Sequence, residues 1–191
     1  MKTNFTAALA RWVVPDVPAD MSGIEFVFIL ESPHKAEILK KCPAAGTAGK
    51  AMASFLLGRK DLAFGEMILG GQTGRKYAIV NVCPVPMQES AYAGQLSAEQ
   101  KSLVDELGRL RNPNLKSVDA GIYSAMLENF KARLAKVNGK AKLIPCGKFA
   151  QKAFADAGFE NIYDIPHPSF GNWHKKKYKQ AMERLKAELG A

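Results

Sequence analysis

A chain of 191 residues with 27 Lys and Arg against 18 Asp and Glu, a formal net charge of +9 and 47% hydrophobic residues has the size of one ordinary globular domain. Its apolar fraction excludes a disordered chain or a disulfide-stapled scaffold. No apolar run reaches the roughly 18 to 20 residues of a spanning helix, and Arg11 interrupts the stretch that a secretory leader would keep apolar.

The whole of 1–191 is therefore expected as a single cytoplasmic domain, acting as a monomer with no membrane partner. Cys42, Cys83 and Cys146 are odd in number and far apart, which fits neither a disulfide framework nor a paired-cysteine metal site, so they are expected as reduced, buried thiols. The excess of positive charge attracts polyanions, of which nucleic acid is the commonest in a cytoplasm.

After an N-terminal helical segment, residues 24–30 form a nearly continuous apolar run, the pattern of a strand covered on both faces. It ends in Glu31-Ser32-Pro33-His34. A helix is predicted over 49–57, and a surface loop over 62–76, which holds four glycines. A second strand over 77–83 stops at Pro84, and 84–94 reads as another surface loop. The next helix starts at Ser97, with Gln100 completing a capping-box signal. A longer one over 119–137 carries Ile122, Met126, Phe130 and Leu134 at four-residue spacing and closes on Asn138-Gly139. A third strand over 141–146 stops at Gly147, a helix follows to 157, and a fourth strand over 161–165 runs into Pro166-His167-Pro168-Ser169. The last helix is predicted over 173–189.

Strands alternating with helices at these spacings require crossover connections. The expected architecture is an α/β, three-layer α/β/α sandwich around a central, mainly parallel four-stranded sheet. Ligands of such sheets sit at the carboxyl ends of the strands, which selects Glu31, Ser32, Asn81, Gly147 and His167. Gly46-Thr47-Ala48-Gly49-Lys50-Ala51 looks like part of a phosphate-binding loop. It has Ala44 at the first glycine position and Ala51 where Ser or Thr would hold magnesium, which argues against an ATPase. His174, Lys175, Lys176, Lys177 and Lys179 crowd together near the C-terminus with Trp173 and Tyr178. Alone, that run reads as a solvated helix face.

Four short pieces occur in order: the carboxylate-Ser-Pro of Glu31-Ser32-Pro33, the loop Pro43-Ala44-Ala45-Gly46-Thr47-Ala48-Gly49, Asn81 at the end of the second strand, and His167-Pro168-Ser169. Together they resemble the uracil-DNA glycosylase superfamily over about residues 24–175. Its first motif reads GQDPY in one branch and GEAPG in the iron–sulfur branch, placing Glu31 at the glutamate of the second and Ser32 at the catalytic aspartate of the first. The iron–sulfur branch's PFVGRAG is similar to residues 43–49, and Leu143-Ile144-Pro145-Cys146-Gly147-Lys148 looks like the family's third strand and following helix start.

The resemblance implies a uracil-DNA glycosylase-like fold and hydrolytic removal of uracil, or of another deaminated or damaged base, from single- or double-stranded DNA. Breaking an N-glycosidic bond leaves an oxocarbenium-like sugar and an anionic base. His167 is then the donor to the leaving base, and Glu31 the carboxylate that stabilises the sugar and positions water. Asn81 reads the edge of a base flipped out of the stack, with Ser32, Pro33 and Ala44 completing the base pocket. Phe170 is the wedge that fills the vacated stack, and Ser169, Lys175, Lys176 and Lys177 grip phosphate.

Departures from the family pattern are equally plain. Ala44 stands where the family has the aromatic that stacks on uracil, so a loop aromatic such as Phe64 or Tyr92 would have to replace it. Only Cys83 falls near a cluster-ligand position, so no iron–sulfur cluster, other metal or cofactor is expected. Two alternatives stay open at this point: a nucleic-acid-binding module on the same fold without chemistry, and a hydrolase of small nucleosides or nucleotides.

Overall fold

The computed structural model describes residues 4–74, 76–112, 120–137 and 139–190. Strand β1 (Phe26–Leu30) is buried along its whole length. Val27 and Ile29 face one core cluster while Phe26, Phe28 and Leu30 face another, as alternation along a strand demands. It pairs in parallel with β2 (Tyr77–Asn81) on one side and β3 (Lys142–Pro145) on the other, giving the order β2-β1-β3. The register sets Leu30 opposite Asn81 and Ile29 opposite Pro145, so the carboxyl ends of all three strands lie together.

Helices cover both faces. Between β1 and β2 the chain forms α2 (Lys35–Lys40), α3 (Thr47–Leu57) and α4 (Phe64–Leu69), after the short N-terminal α1 (Phe5–Ala8). Met52 and Ala53 of α3 and Phe64 and Met67 of α4 pack on the Phe28 face. Between β2 and β3 it forms α5 (Ala98–Arg109) and α6 (Ala120–Leu134), whose Leu103, Leu107, Ile122, Met126 and Phe130 cover the Val27 face. Helix α7 (Lys148–Asp156) joins α6 on that face, and α8 (Lys179–Leu189) joins α3 through Met182, Leu185 and Leu189. The two connections therefore leave the sheet on opposite faces, which opens a crevice at the carboxyl ends of β1 and β3.

Most predicted elements are present. The Ser97 cap is made in full, with Ser97 Oγ accepting from Gln100 N at 3.3 Å and Gln100 Oε1 accepting from Ser97 N at 3.0 Å. All four apolar residues spaced along α6 are buried; the helix ends at Leu134 and not at Val137, while Asp119, its expected start, and Asn138, its expected stop signal, lie outside the described residues.

Other expectations are corrected. The sheet has three strands, not four: of residues 161–165 only Ile165 bridges Cys146. Asn161 Oδ1 instead accepts from Tyr163 N at 2.9 Å and Ile162 is 73% exposed, a local turn that competes with a ladder. The expected last helix begins only at Lys179, because Phe170 and Gly171 adopt left-handed φ values of 55° and 63° and Lys175 is extended. Residues 169–178 are short 3-10 turns instead. The 62–76 segment contains α4, and 84–94 is no surface loop, since Val85, Met87, Ala91 and Tyr92 are buried. Cys42, Cys83 and Cys146 are buried and unpaired. Among the described residues no helix is long and apolar enough to cross a membrane.

Two glycines clamp the loop that follows α2. A Cβ on Gly49 would lie 1.6 Å from Ala44 O, and one on Gly65 would lie 1.8 Å from Pro43 O. Because the obstacle is backbone, Gly49→Ala is expected to cost about 3 kcal/mol or more, lowering the melting temperature by about 6–12 °C for a chain of this size. An unchanged melting curve would mean that the 43–45 loop is not fixed by this contact.

Candidate active site

The crevice holds a cleft of about 340 Å³ at the carboxyl ends of β1 and β3, lined by Glu31, Arg111, Cys146, Gly147, Lys148 and His167 among others. Glu31 leaves β1 directly. His167 follows the Ile165 bridge to Cys146, and Gly147 N donates to Ile165 O at 2.8 Å. Gly147 has φ +91°, and a Cβ there would meet His167 Cβ at 2.8 Å, so glycine is needed for the imidazole to sit against the start of α7. That helix has no side-chain cap, leaving its first N–H groups and positive dipole end at the cleft.

His167 Nδ1 accepts the backbone N–H of Ser169 at 3.2 Å and lies 2.8 Å from Ser169 Oγ. A nitrogen that accepts carries no proton, so the neutral ring is protonated on Nε2. Burial lowers the His167 pKa; the nearby Glu31 charge opposes this and Arg111 reinforces it. The ring is therefore held neutral as an Nε2–H donor. Ser169, expected at a phosphate, has its hydroxyl on this imidazole.

Glu31 is paired with Arg111 Nε. With its amide oxygen turned toward the guanidinium, Gln88 accepts from Arg111 Nη2 at 3.0 Å and Nη1 at 3.1 Å. Arg111 thus sits between a carboxylate and an amide, beside the histidine. Its charge disfavours imidazolium while that of Glu31 favours it. The His167 pKa, followed by the imidazole proton resonances, is expected to rise in Arg111→Gln and fall in Glu31→Gln. Shifts of the same sign in both variants would mean that the two charges do not act on the ring directly.

Asn81 shares the β2 face of Tyr77 and Ile79 and is 1% exposed. Among the described residues neither its Nδ2 nor its Oδ1 has a hydrogen-bond partner. Its backbone, by contrast, is tightly held. Arg133 Nη2 donates to Asn81 O at 2.6 Å and Val82 O at 2.8 Å, and Asp16 pairs with Arg133 Nη1 at 2.7 Å. Burial raises the Asp16 pKa, opposed by Arg133 and by the Asn81 N–H. A main chain fixed by an ion pair carries an amide whose donor and acceptor have no partner among the described residues.

Ser32 is half-buried and Pro33 buried in the link to α2. Ala44 is buried with φ 51°, its N–H donating to Glu37 Oε1 at 2.6 Å, while Glu37 Oε2 accepts from His34 N at 2.7 Å. Burial outweighs these bonds and raises the Glu37 pKa. Neither proposed replacement for the missing aromatic is available: Phe64 packs on Phe28 and Tyr77, and Tyr92 packs on Trp12 with its hydroxyl on Pro86 O. Phe170 is 89% exposed, whereas Trp173 is buried with Nε1 donating to Pro166 O at 2.8 Å. Lys175, Lys176 and Lys177 are exposed.

Glu31 and His167 are thus brought into one cleft, Asn81 lies one strand away in register with Leu30, and Phe170 and the lysines lie outside the cleft lining. Arg111, Gln88, Glu37 and the Asp16–Arg133 pair carry no sequence signal of their own. Burial raises the pKa of the cleft thiol, Cys146, which disfavours its thiolate form. Compared with protein-family models, with characterised proteins and with solved structures, the chain matches none.

Proposed function

We propose that the protein is a DNA N-glycosylase-like hydrolase that removes uracil or another deaminated or damaged base, on a uracil-DNA glycosylase-like fold. The observation that carries this reading is the pairing in one cleft of a carboxylate, Glu31, with a neutral imidazole whose Nε2–H is unclaimed by Ser169. As the bond from C1′ to the base nitrogen breaks, its electron pair goes to the base. The Nε2–H of His167 and the α7 N-terminus stabilise that charge. Glu31 faces the positive sugar and orients the water that adds to C1′, and the proton that water loses ends on the solvent or the base. Arg111 neutralises Glu31 before substrate arrives, and a substrate phosphate competing for the guanidinium releases the carboxylate.

The reading is tested by single-turnover base release from single- and double-stranded oligonucleotides carrying uracil, hypoxanthine or xanthine. Release from at least one supports it, and none from any removes it. The closed Glu31–Arg111 pair and the missing ring at Ala44 favour the second reading, a binding module without chemistry. That reading expects steep salt dependence of strand binding and no release, whereas one phosphate of a small nucleotide gives a shallow slope.

A further inference from the structure

A second concavity, of about 370 Å³, lies between α3, the turns at 169–178 and α8. Its floor is aromatic and apolar. The Phe55 ring lies 5.5 Å from Trp173 and 6.0 Å from His174, centroid to centroid, and Met182 completes the base. Its rim is cationic: Lys175, Lys176, Lys179 and Lys186 line it against one acid, Glu183, which pairs with Lys179 at 3.6 Å. Lys186 Nζ sits 4.7 Å over the Phe55 ring. Lys177 is not part of the lining, its ammonium lying 4.8 Å over Tyr178.

We propose that this groove seats one unpaired nucleotide of a nucleic-acid strand that runs from the cleft past Phe170. The inference rests on the nucleic-acid part of the reading above, not on base release. Chain continuity supports the path. One short segment bears Ser169, bonded to His167 of the cleft, then the exposed Phe170 on a left-handed turn, then Trp173 and His174 of the groove. The half-buried Phe55 and the exposed His174 offer rings to a base's π face once Lys186 swings from Phe55 to a phosphate, with the rest of the lysine rim outside. The volume falls within the roughly 300–1,000 Å³ of sites for small organic groups. A duplex presents phosphates but keeps its bases stacked inside, so it would meet the rim and never the floor. An acidic peptide would satisfy the charges and leave the rings unused.

The test is binding of a fluorescent oligothymidylate to the full chain, measured against salt. A hairpin duplex of equal phosphate number and an oligoglutamate competitor are run alongside. The single strand is expected to bind best. Lys176→Gln/Lys179→Gln should shallow the log–log salt slope by about 1.4, since each phosphate contact of a single strand contributes about 0.7. Lys131→Gln, on α6 across the sheet, should leave the slope unchanged. Phe55→Leu, with folding checked by its melting curve, should weaken single-strand binding about fivefold or more, as loss of one stacked base does. Equal binding of the hairpin, effective competition by oligoglutamate, or an unaffected Phe55→Leu protein that melts normally would each overturn the inference. A protein that binds through the groove and releases no base would sink the hydrolase reading alone. Release with no dependence on the groove would sink this inference alone.

Discussion

Replacing His167 by alanine is expected to slow base release at least about a hundredfold, the usual cost of removing a donor aimed at charge that develops in the transition state. The geometry makes the loss specific. Nδ1 is occupied by Ser169 N–H, so Nε2–H is the one donor that the neutral ring has to offer. Glu31→Gln should cost a similar factor, because an amide keeps the size of the side chain and removes the charge that faces the sugar. It also releases Arg111 into the cleft as an uncompensated cation, which opposes a cationic sugar further. Arg111→Gln separates these effects. If the Glu31–Arg111 pair restrains the free enzyme, this variant keeps or exceeds the parent rate on a short substrate while binding strands more weakly. Single-turnover release and separate binding curves measure both. Release that falls less than tenfold in His167→Ala and Glu31→Gln alike would remove the assigned roles, whatever the substrate.

The placing of Glu31 and His167 in one cleft was legible because each ends a strand signal: Glu31 leaves β1, and the segment before His167, although it forms no fourth strand, still bridges Cys146 in parallel through Ile165 and so reaches the same edge. Apolar runs, a capping box and four-residue spacing are local, and local rules read them. Arg111 carries no such signal: it lies two residues beyond α5, and only the packing of that helix brings it to Glu31. Helix α4 was hidden for a related reason. Gly65 is there because Pro43 O leaves no room for a Cβ, yet in a string it is indistinguishable from a loop glycine. Phe64 and Tyr92 looked like spare loop aromatics because burial is a tertiary property, and both are core residues. The 161–165 run had strand composition, but the Asn161 side chain satisfies Tyr163 N–H locally, and a β-propensity signal has no term for that competition.

Asn81 sets stability against function most sharply. A buried amide with neither atom partnered costs about 1–3 kcal/mol for each unsatisfied group. Leucine keeps the branched outline without polar atoms, although its extra volume returns part of the gain as crowding. Asn81→Leu is therefore expected to stabilise the protein by about 1–3 kcal/mol, raising the melting temperature by about 2–12 °C. The same change removes the donor and acceptor that would read a base edge, so release should fall at least about a hundredfold or lose its preference among bases. Arg133 and Asp16 hold the main chain of Asn81 and not its side chain, so the substitution leaves that anchor in place. Opposite signs on melting and on release would mark Asn81 as a residue kept for its ligand at the expense of the fold. A lower melting temperature with unchanged release would mean instead that the amide serves the fold, and the base reader would have to be sought among the residues that line the cleft, which Asn81 does not.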